Sequence, residues 1–325
     1  MINARVICLG EILFDCLANE SSERLEEVKA WTCYPGGAPA NVACALSKLG
    51  TPTAFVGCLG KDRAGEQLCD ILQSLGVDMT GVQRHSTAPT RQVYVLHDPD
   101  GDRVFAGFDE SRTPDEFADA FLQANQLPEN LFLEAEFLVL GTLELAYPQT
   151  REAILQALKL AEEYYLKIVV DINWRPKFWQ NPSEAKEIIS QLWEYVDFLK
   201  LSAEEAEWLF ASNDPQAIAY ELNSVEGVII TAGASEVSYF VNEHQGKISP
   251  VTVPVEDTTG AGDAFVAGLT HQLAKMGIAS LNDPEIVRKI IHYSCAVGSL
   301  TVTKPGAIAA SPTAAEVETF LNFNN

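Results

Sequence analysis

Six short runs of β-branched and other apolar residues, at 6–9, 53–56, 137–140, 168–170, 198–201 and 228–230, recur along the chain with helix-length segments between them. They are continuously apolar rather than alternating, so both faces of each strand must be covered. That is the pattern of a parallel sheet between two helical layers. Amphipathic periodicity predicts helices at 40–49, 65–75, 150–165, 183–195 and 203–209. The expected fold class is therefore α/β, and in such sheets ligands sit beyond the carboxyl ends of the strands.

Two stretches break the rhythm. Residues 91–108 read as two strands around Asp98-Pro99-Asp100-Gly101-Asp102, a turn in which proline presets φ and glycine accepts a positive one. A second extended pair, 13–17 and 29–34, flanks a polar loop. A small sheet of this kind either decorates an edge or covers a site as a lid. No repeat, low-complexity tract or linker divides the 325 residues, so a single domain, 1–325, is expected, with lid segments at approximately 12–35 and 90–109 inserted in it.

Charge narrows the partners. With 45 acidic against 22 basic residues the net charge is −23, which repels nucleic acid and anionic membrane surfaces alike. No run of about 18 apolar residues marks a membrane span, and no basic region followed by a cleavage site marks a leader. The seven cysteines (Cys8, Cys16, Cys33, Cys44, Cys58, Cys69, Cys295) form no C-x-x-C pair. They read as small buried hydrophobes of a reducing compartment, and the protein as cytoplasmic. The histidines lack metal-ligand spacing.

The chemistry concentrates in two glycine-rich stretches. Asp257-Thr258-Thr259-Gly260-Ala261-Gly262-Asp263 runs into a helical pattern, so unpaired first-turn N–H groups make an anion site there. Asp263 falls in that turn, placed either to take a proton from a hydroxyl or simply to cap the helix. Pro35-Gly36-Gly37-Ala38-Pro39-Ala40-Asn41 precedes another helix. Its glycines allow close backbone approach to a ligand, and Asn41 can offer donor and acceptor to hydroxyls or point to solvent. Strand ends contribute Asp15 in Gly10-Glu11-Ile12-Leu13-Phe14-Asp15, Arg175 in Asp171-Ile172-Asn173-Trp174-Arg175, Thr231 and Gly233 in Thr231-Ala232-Gly233, and Lys200, Ser202 and Glu205, of which Ser202 and Glu205 equally make a capping box. No P-loop, protein-kinase signature, dinucleotide fingerprint or nucleophile elbow is present.

These stretches resemble the two signatures of the PfkB carbohydrate kinases, the ribokinase-like family, over about 6–306. The resemblance implies a ribokinase-like three-layer α/β/α fold, a mostly parallel sheet with a small β-sheet lid. It implies transfer of the γ-phosphate of ATP to a primary hydroxyl of a sugar, with Mg2+. The D-x-N-x-R segment is similar to that of fructokinase-like and 2-keto-3-deoxygluconate kinase-like members, and Ser202 in the family's asparagine position to fructokinase-like ones, so fructose is the expected sugar. By the same resemblance Asp263 is the catalytic base, Gly260, Ala261 and Gly262 form the anion hole, and Arg175 meets the transferring phosphoryl group. Asp15, Gly36, Gly37, Asn41 and Asp263 would hold the sugar. Lys200, Ser202, Thr231, Gly233, Gly260 and Gly262 would hold the nucleotide, and Glu205 the magnesium through water. Asp257 and Thr259, with carbonyls near 303–307, would bind a monovalent cation such as K+, and the lid would form a homodimer contact. The alternatives are a 2-keto-3-deoxygluconate kinase, with Arg91 and Arg103 on the lid hairpin as cations for an acidic sugar, a nucleoside kinase, or a catalytically silent relative acting as a binding subunit.

Overall fold

The computed structural model describes residues 3–20, 22, 24–97, 103–108 and 112–324. In chain order its first strands are β1 (Val6–Leu9), β2 (Leu13–Ala18) and β3 (Trp31–Gly36), followed by α1 (Ala38–Lys48), β4 (Thr53–Gly60), α2 (Arg63–Ser74) and β5 (Asp78–His85). Next come β6 (Gln92–His97), β7 (Arg103–Gly107), α3 (Glu129–Glu134), β8 (Phe137–Leu140), α4 (Pro148–Glu163) and β9 (Lys167–Asp171). Then follow α5 (Ala185–Ser190), β10 (Phe198–Ser202), α6 (Ala203–Phe210), α7 (Pro215–Leu222), β11 (Gly227–Thr231), β12 (Val237–Val241) and β13 (His244–Ile248). The chain closes with α8 (Ala261–Met276), α9 (Pro284–Thr301), α10 (Ala307–Ala310) and α11 (Ala314–Asn324).

All six apolar runs become strands of one nine-stranded sheet in the order β13-β12-β11-β10-β9-β8-β1-β4-β5. Pairing is parallel from β11 through β5 and antiparallel only at β11-β12-β13. Alternate residues of each strand feed opposite cores. Ile7, Leu9, Leu138, Ile168 and Leu199 pack with Ile154, Ala157 and Leu158 of α4. Val6, Cys8, Phe137, Val169 and Phe198 pack with Phe265 and Leu269 of α8 and Ile290 and Ile291 of α9. Each fully buried aliphatic side chain contributes about 1.5–3 kcal/mol, so covering both faces stabilises strands only four or five residues long.

The strands not anticipated are β5, β12 and β13; β5 and β13 are the half-exposed edges of the sheet, while β12, mostly buried, lies between β11 and β13. β12 and β13 form a hairpin whose turn residues Asn242 and Glu243 both have positive φ, 46° and 66°. The helix expected over 183–195 is shorter: beyond Ser190 the hydrogen bonds shift to three-residue spacing, as in Leu192 N to Ile189 O and Trp193 N to Ser190 O.

The segments around 12–35 and 90–109 supply a separate four-stranded sheet, β3-β2-β6-β7. The 98–102 turn and the Arg103 side chain lie outside the described residues. Arg91 corrects an expectation. Rather than presenting a charge on the lid, it is 1% exposed, with Nε and Nη2 on the Asp119 carboxylate at 2.6 and 2.7 Å and its guanidinium 4.5 Å from the Phe117 ring centre. Its counterion lies 28 residues away, beyond the reach of local pattern. The Arg91 carbonyl also accepts from Phe14 N at 3.1 Å, joining the start of β6 to β2 within the smaller sheet.

Cysteine pairing is a second correction. Cys16 and Cys33 face each other across β2 and β3 and form a disulfide. Cys8, Cys44, Cys58 and Cys295 are buried free thiols and Cys69 is half-buried. Cross-strand register joined residues 17 apart, which spacing alone does not reveal. No helix among the described residues is long and apolar enough to cross a membrane.

Candidate active site

The sheet's carboxyl ends converge on the start of α8. Gly260 caps that helix at φ 78°, in the left-handed region, and a β-carbon there would collide with Ala307. A β-carbon on Gly262 would lie 3.1 Å from Lys200 Nζ, a tight contact that the glycine avoids. The first-turn N–H groups have no carbonyl within the helix to bond, and the dipole adds positive potential. Asp263 sits third in this turn and is buried.

The second glycine turn meets the first. Gly37 caps α1 at φ 99°, with Asn41 N donating to its carbonyl at 2.8 Å. Asn41 Nδ2 in turn donates to Asp263 Oδ2 at 2.7 Å, and Asn41 Oδ1 is buried without a protein partner. Burial raises the Asp263 carboxyl above the usual aspartate range, and the Asn41 amide, Lys200 and Arg175 pull it part of the way back. A carboxylate so placed can take a proton from a hydroxyl while the amide fixes its orientation. Gly36 has a different use from its neighbour: a β-carbon there would collide with Asp15 Oδ2, so the glycine makes room for that carboxylate on β2.

Strands β9 and β10 deliver a buried ion pair, Lys200 Nζ to Asp171 Oδ1 at 3.0 Å and Oδ2 at 3.1 Å. Burial pushes Asp171 up to about 6 against the pull of Lys200. Burial also lowers the Lys200 ammonium, but Asp171, Glu205 and Asp263 around it more than offset this and leave it above its usual value. Glu205 accepts from Trp174 N at 2.6 Å and Ser202 N at 2.7 Å, while Ser202 Oγ accepts from Glu205 N at 3.1 Å. The capping box is thus real, and it turns Glu205 into the site rather than away from it.

A cavity of about 550 Å³ is lined by Asp15, Gly37, Asn41, Arg175, Lys200, Ser202, Glu205, Thr259, Gly260, Ala261, Gly262 and Asp263. A second, more apolar cavity of about 430 Å³ takes in Thr231, Gly233, Val237, Val253 and Phe265, and shares Thr258, Ala261 and Gly262 with the first. Gly36 lines neither, and Asp257 lies behind them, accepting from Thr259 N, Thr259 Oγ1 and Gly306 N at 2.9, 2.6 and 3.0 Å. Asp257 thereby ties the 257–259 loop to the 303–306 loop. Sequence reasoning missed Glu11, Asp171 and Phe105 as lining residues. The first two carried a signal, a carboxylate at a strand end within a motif already singled out. Among the described residues no group of three or more His, Cys, Asp or Glu side chains could hold a metal.

A parallel α/β sheet opening on a helix start that attracts oxyanions, beside a buried carboxylate able to deprotonate an alcohol, is the equipment of a carbohydrate phosphotransferase. Residues 3–314 match the model of the pfkB family carbohydrate kinases, and the chain belongs to that family. It is 34% identical to probable fructokinase-2 of Arabidopsis thaliana over 321 residues, 98% of this chain and 96% of the relative. The fructokinase of Xylella fastidiosa, solved with bound ATP, superposes with a TM-score of 0.89 at 29% identity, covering 98% of each chain. A fructokinase double mutant from Vibrio cholerae O395, solved with fructose, ADP and potassium ion bound, gives 0.84 at 26% identity, again over 98% of each.

Proposed function

We propose that the protein is a fructokinase that transfers the γ-phosphoryl group of ATP to a primary hydroxyl of fructose. The observation that carries the reading is the Asn41–Asp263 bond, which joins the two glycine turns and aims a buried carboxylate into a cavity continuous with an anion-binding helix start. Fructose comes from the relatives' names and ATP from the ATP-bound neighbour.

In this reading the sugar lies against Asp15, Gly37 and Asn41. Asp263 takes the proton of the attacking hydroxyl, whose oxygen bonds to the γ-phosphorus as the bond to the bridging oxygen breaks and ADP leaves. Charge on the transferring group meets the first-turn N–H groups at Gly260, Ala261 and Gly262, with Lys200 and Arg175 beside them. The adjoining apolar cavity suits the base and ribose, with Thr231 and Gly233 at its rim.

The donor set fits magnesium. Glu205 has both oxygens engaged by backbone N–H groups, which suits a hold through water, and this ion commonly binds through one or two carboxylates plus substrate phosphates. When bound it supplies positive charge to the phosphates. Potassium fits beside the 257–259 and 303–306 loops that Asp257 joins, in keeping with the potassium-bound neighbour. The dimer through the smaller sheet belongs to the same reading, and a scattering mass of twice the monomer tests it. The acidic-sugar alternative loses Arg91, which is consumed by Asp119.

Steady-state kinetics with MgATP over fructose, ribose, 2-keto-3-deoxygluconate and adenosine test the reading. Fructose should have the highest kcat/KM. A higher value for another acceptor contradicts the assignment of the sugar.

A further inference from the structure

Glu11 stands between β1 and β2 at 3% exposure, in the wall of the same cavity as Asp15, Asn41 and Asp263. One of its oxygens has a clear task. Oε1 accepts from Ala38 N at 2.8 Å, capping α1 from a distance because Gly37 has no side chain to do so. Among the described residues no hydrogen bond from another residue reaches Oε2. By contrast, both oxygens of Glu144 behind it are sealed from solvent.

A buried carboxylate using half of its acceptor capacity is costly to keep, and a hydroxyl arriving in the cavity would satisfy it. The surroundings favour a donor there. The charged groups acting on Glu11 are Asp119 and Asp263, both acidic, while the nearby cations are engaged elsewhere: Arg91 is bound to Asp119, and Lys200 and Arg175 act on Asp263. A neutral hydroxyl is welcome where an anion is repelled. We propose that Glu11 is a sugar-binding residue that accepts a hydrogen bond from one hydroxyl of the acceptor, other than the one phosphorylated, and so selects among carbohydrates. This rests on the kinase reading above.

Glu11→Gln isolates the role, because the amide oxygen keeps the bond to Ala38 N while the charge facing the cavity is lost. Kinetics with MgATP compare wild type and variant on the best sugar and on its monodeoxy analogues. At pH 8, above the value of about 7 to which burial raises this carboxyl, sugar KM should rise about tenfold, the worth of a hydrogen bond to a charged acceptor, with the KM for ATP unchanged. The loss should vanish for one deoxy analogue only, the one lacking the hydroxyl that Glu11 receives. Glu11→Asp, which withdraws the charge by one methylene, should show the same selective pattern. An equal loss across all analogues, or an unchanged KM, overturns the proposal and leaves the kinase standing. A wild-type protein that phosphorylates no sugar overturns both.

Discussion

At the scale of single residues, the site is built by burying carboxyl groups and then restraining each with a named partner. Asp263 has Asn41, Asp171 has Lys200, and Glu11 has backbone N–H groups alone, its own and that of Ala38. Glu11 is accordingly pushed up to about 7, chiefly by burial, with the N–H groups of Glu11 and Ala38 opposing. The consequence for stability has a definite sign. Between the ordinary glutamate value of 4.5 and about 7 the unfolded chain ionises while the folded one keeps its proton, so stability falls as pH rises through that window. Glu11→Gln cannot ionise and should therefore gain melting temperature over wild type by more at pH 8 than at pH 5. Equal differences at the two pH values would contradict the buried acid.

At the scale of elements, two contacts hold the parts that carry the site. The Arg91–Asp119 pair anchors the smaller sheet where β2 and β6 begin, with side chains 0% and 1% exposed. Asp119→Ala leaves Arg91 buried and uncompensated, and should lower unfolding free energy by about 3–5 kcal/mol in denaturant titrations. The second contact joins the end of α1 to α8, where Thr51 Oγ1 lies 2.7 Å from His271 Nδ1. Burial, with Lys275 and Arg5 nearby, lowers His271 to about 4. As pH falls from 6.5 to about 4 the unfolded chain protonates first, so the folded state loses stability across that window. His271→Gln should flatten this loss in melting curves, and an unaltered acid limb would show that the imidazole is not held neutral.

Across the whole molecule, legibility in the sequence followed the range of the cause. The inner strands could be read because continuous apolarity at 6–9 or 198–201 is local and admits one environment. The helix start at Gly260–Asp263 and the turn at Gly36–Asn41 could be read because closely approaching backbones demand glycine at fixed spacing. The edge strands β5 and β13 could not, since most of their side chains are partly exposed, nor could β12, whose apolar run is broken by Ser238. Pairings across the fold were equally hidden: Arg91 with Asp119, Cys16 with Cys33, and the Glu11 reach to Ala38 depend on register and topology. The net charge of −23 said nothing against a nucleotide, because the positive potential is local to the α8 start, Lys200 and Arg175.

The claim that everything turns on is that Asp263 deprotonates the acceptor hydroxyl. Asp263→Asn keeps the shape of the site and a partner for the Asn41 contact while removing the base. ADP release with MgATP and fructose, measured alongside the melting temperature, should show kcat reduced by about 10² to 10⁴ with the fold and sugar KM retained. A folded variant with wild-type kcat would contradict the account.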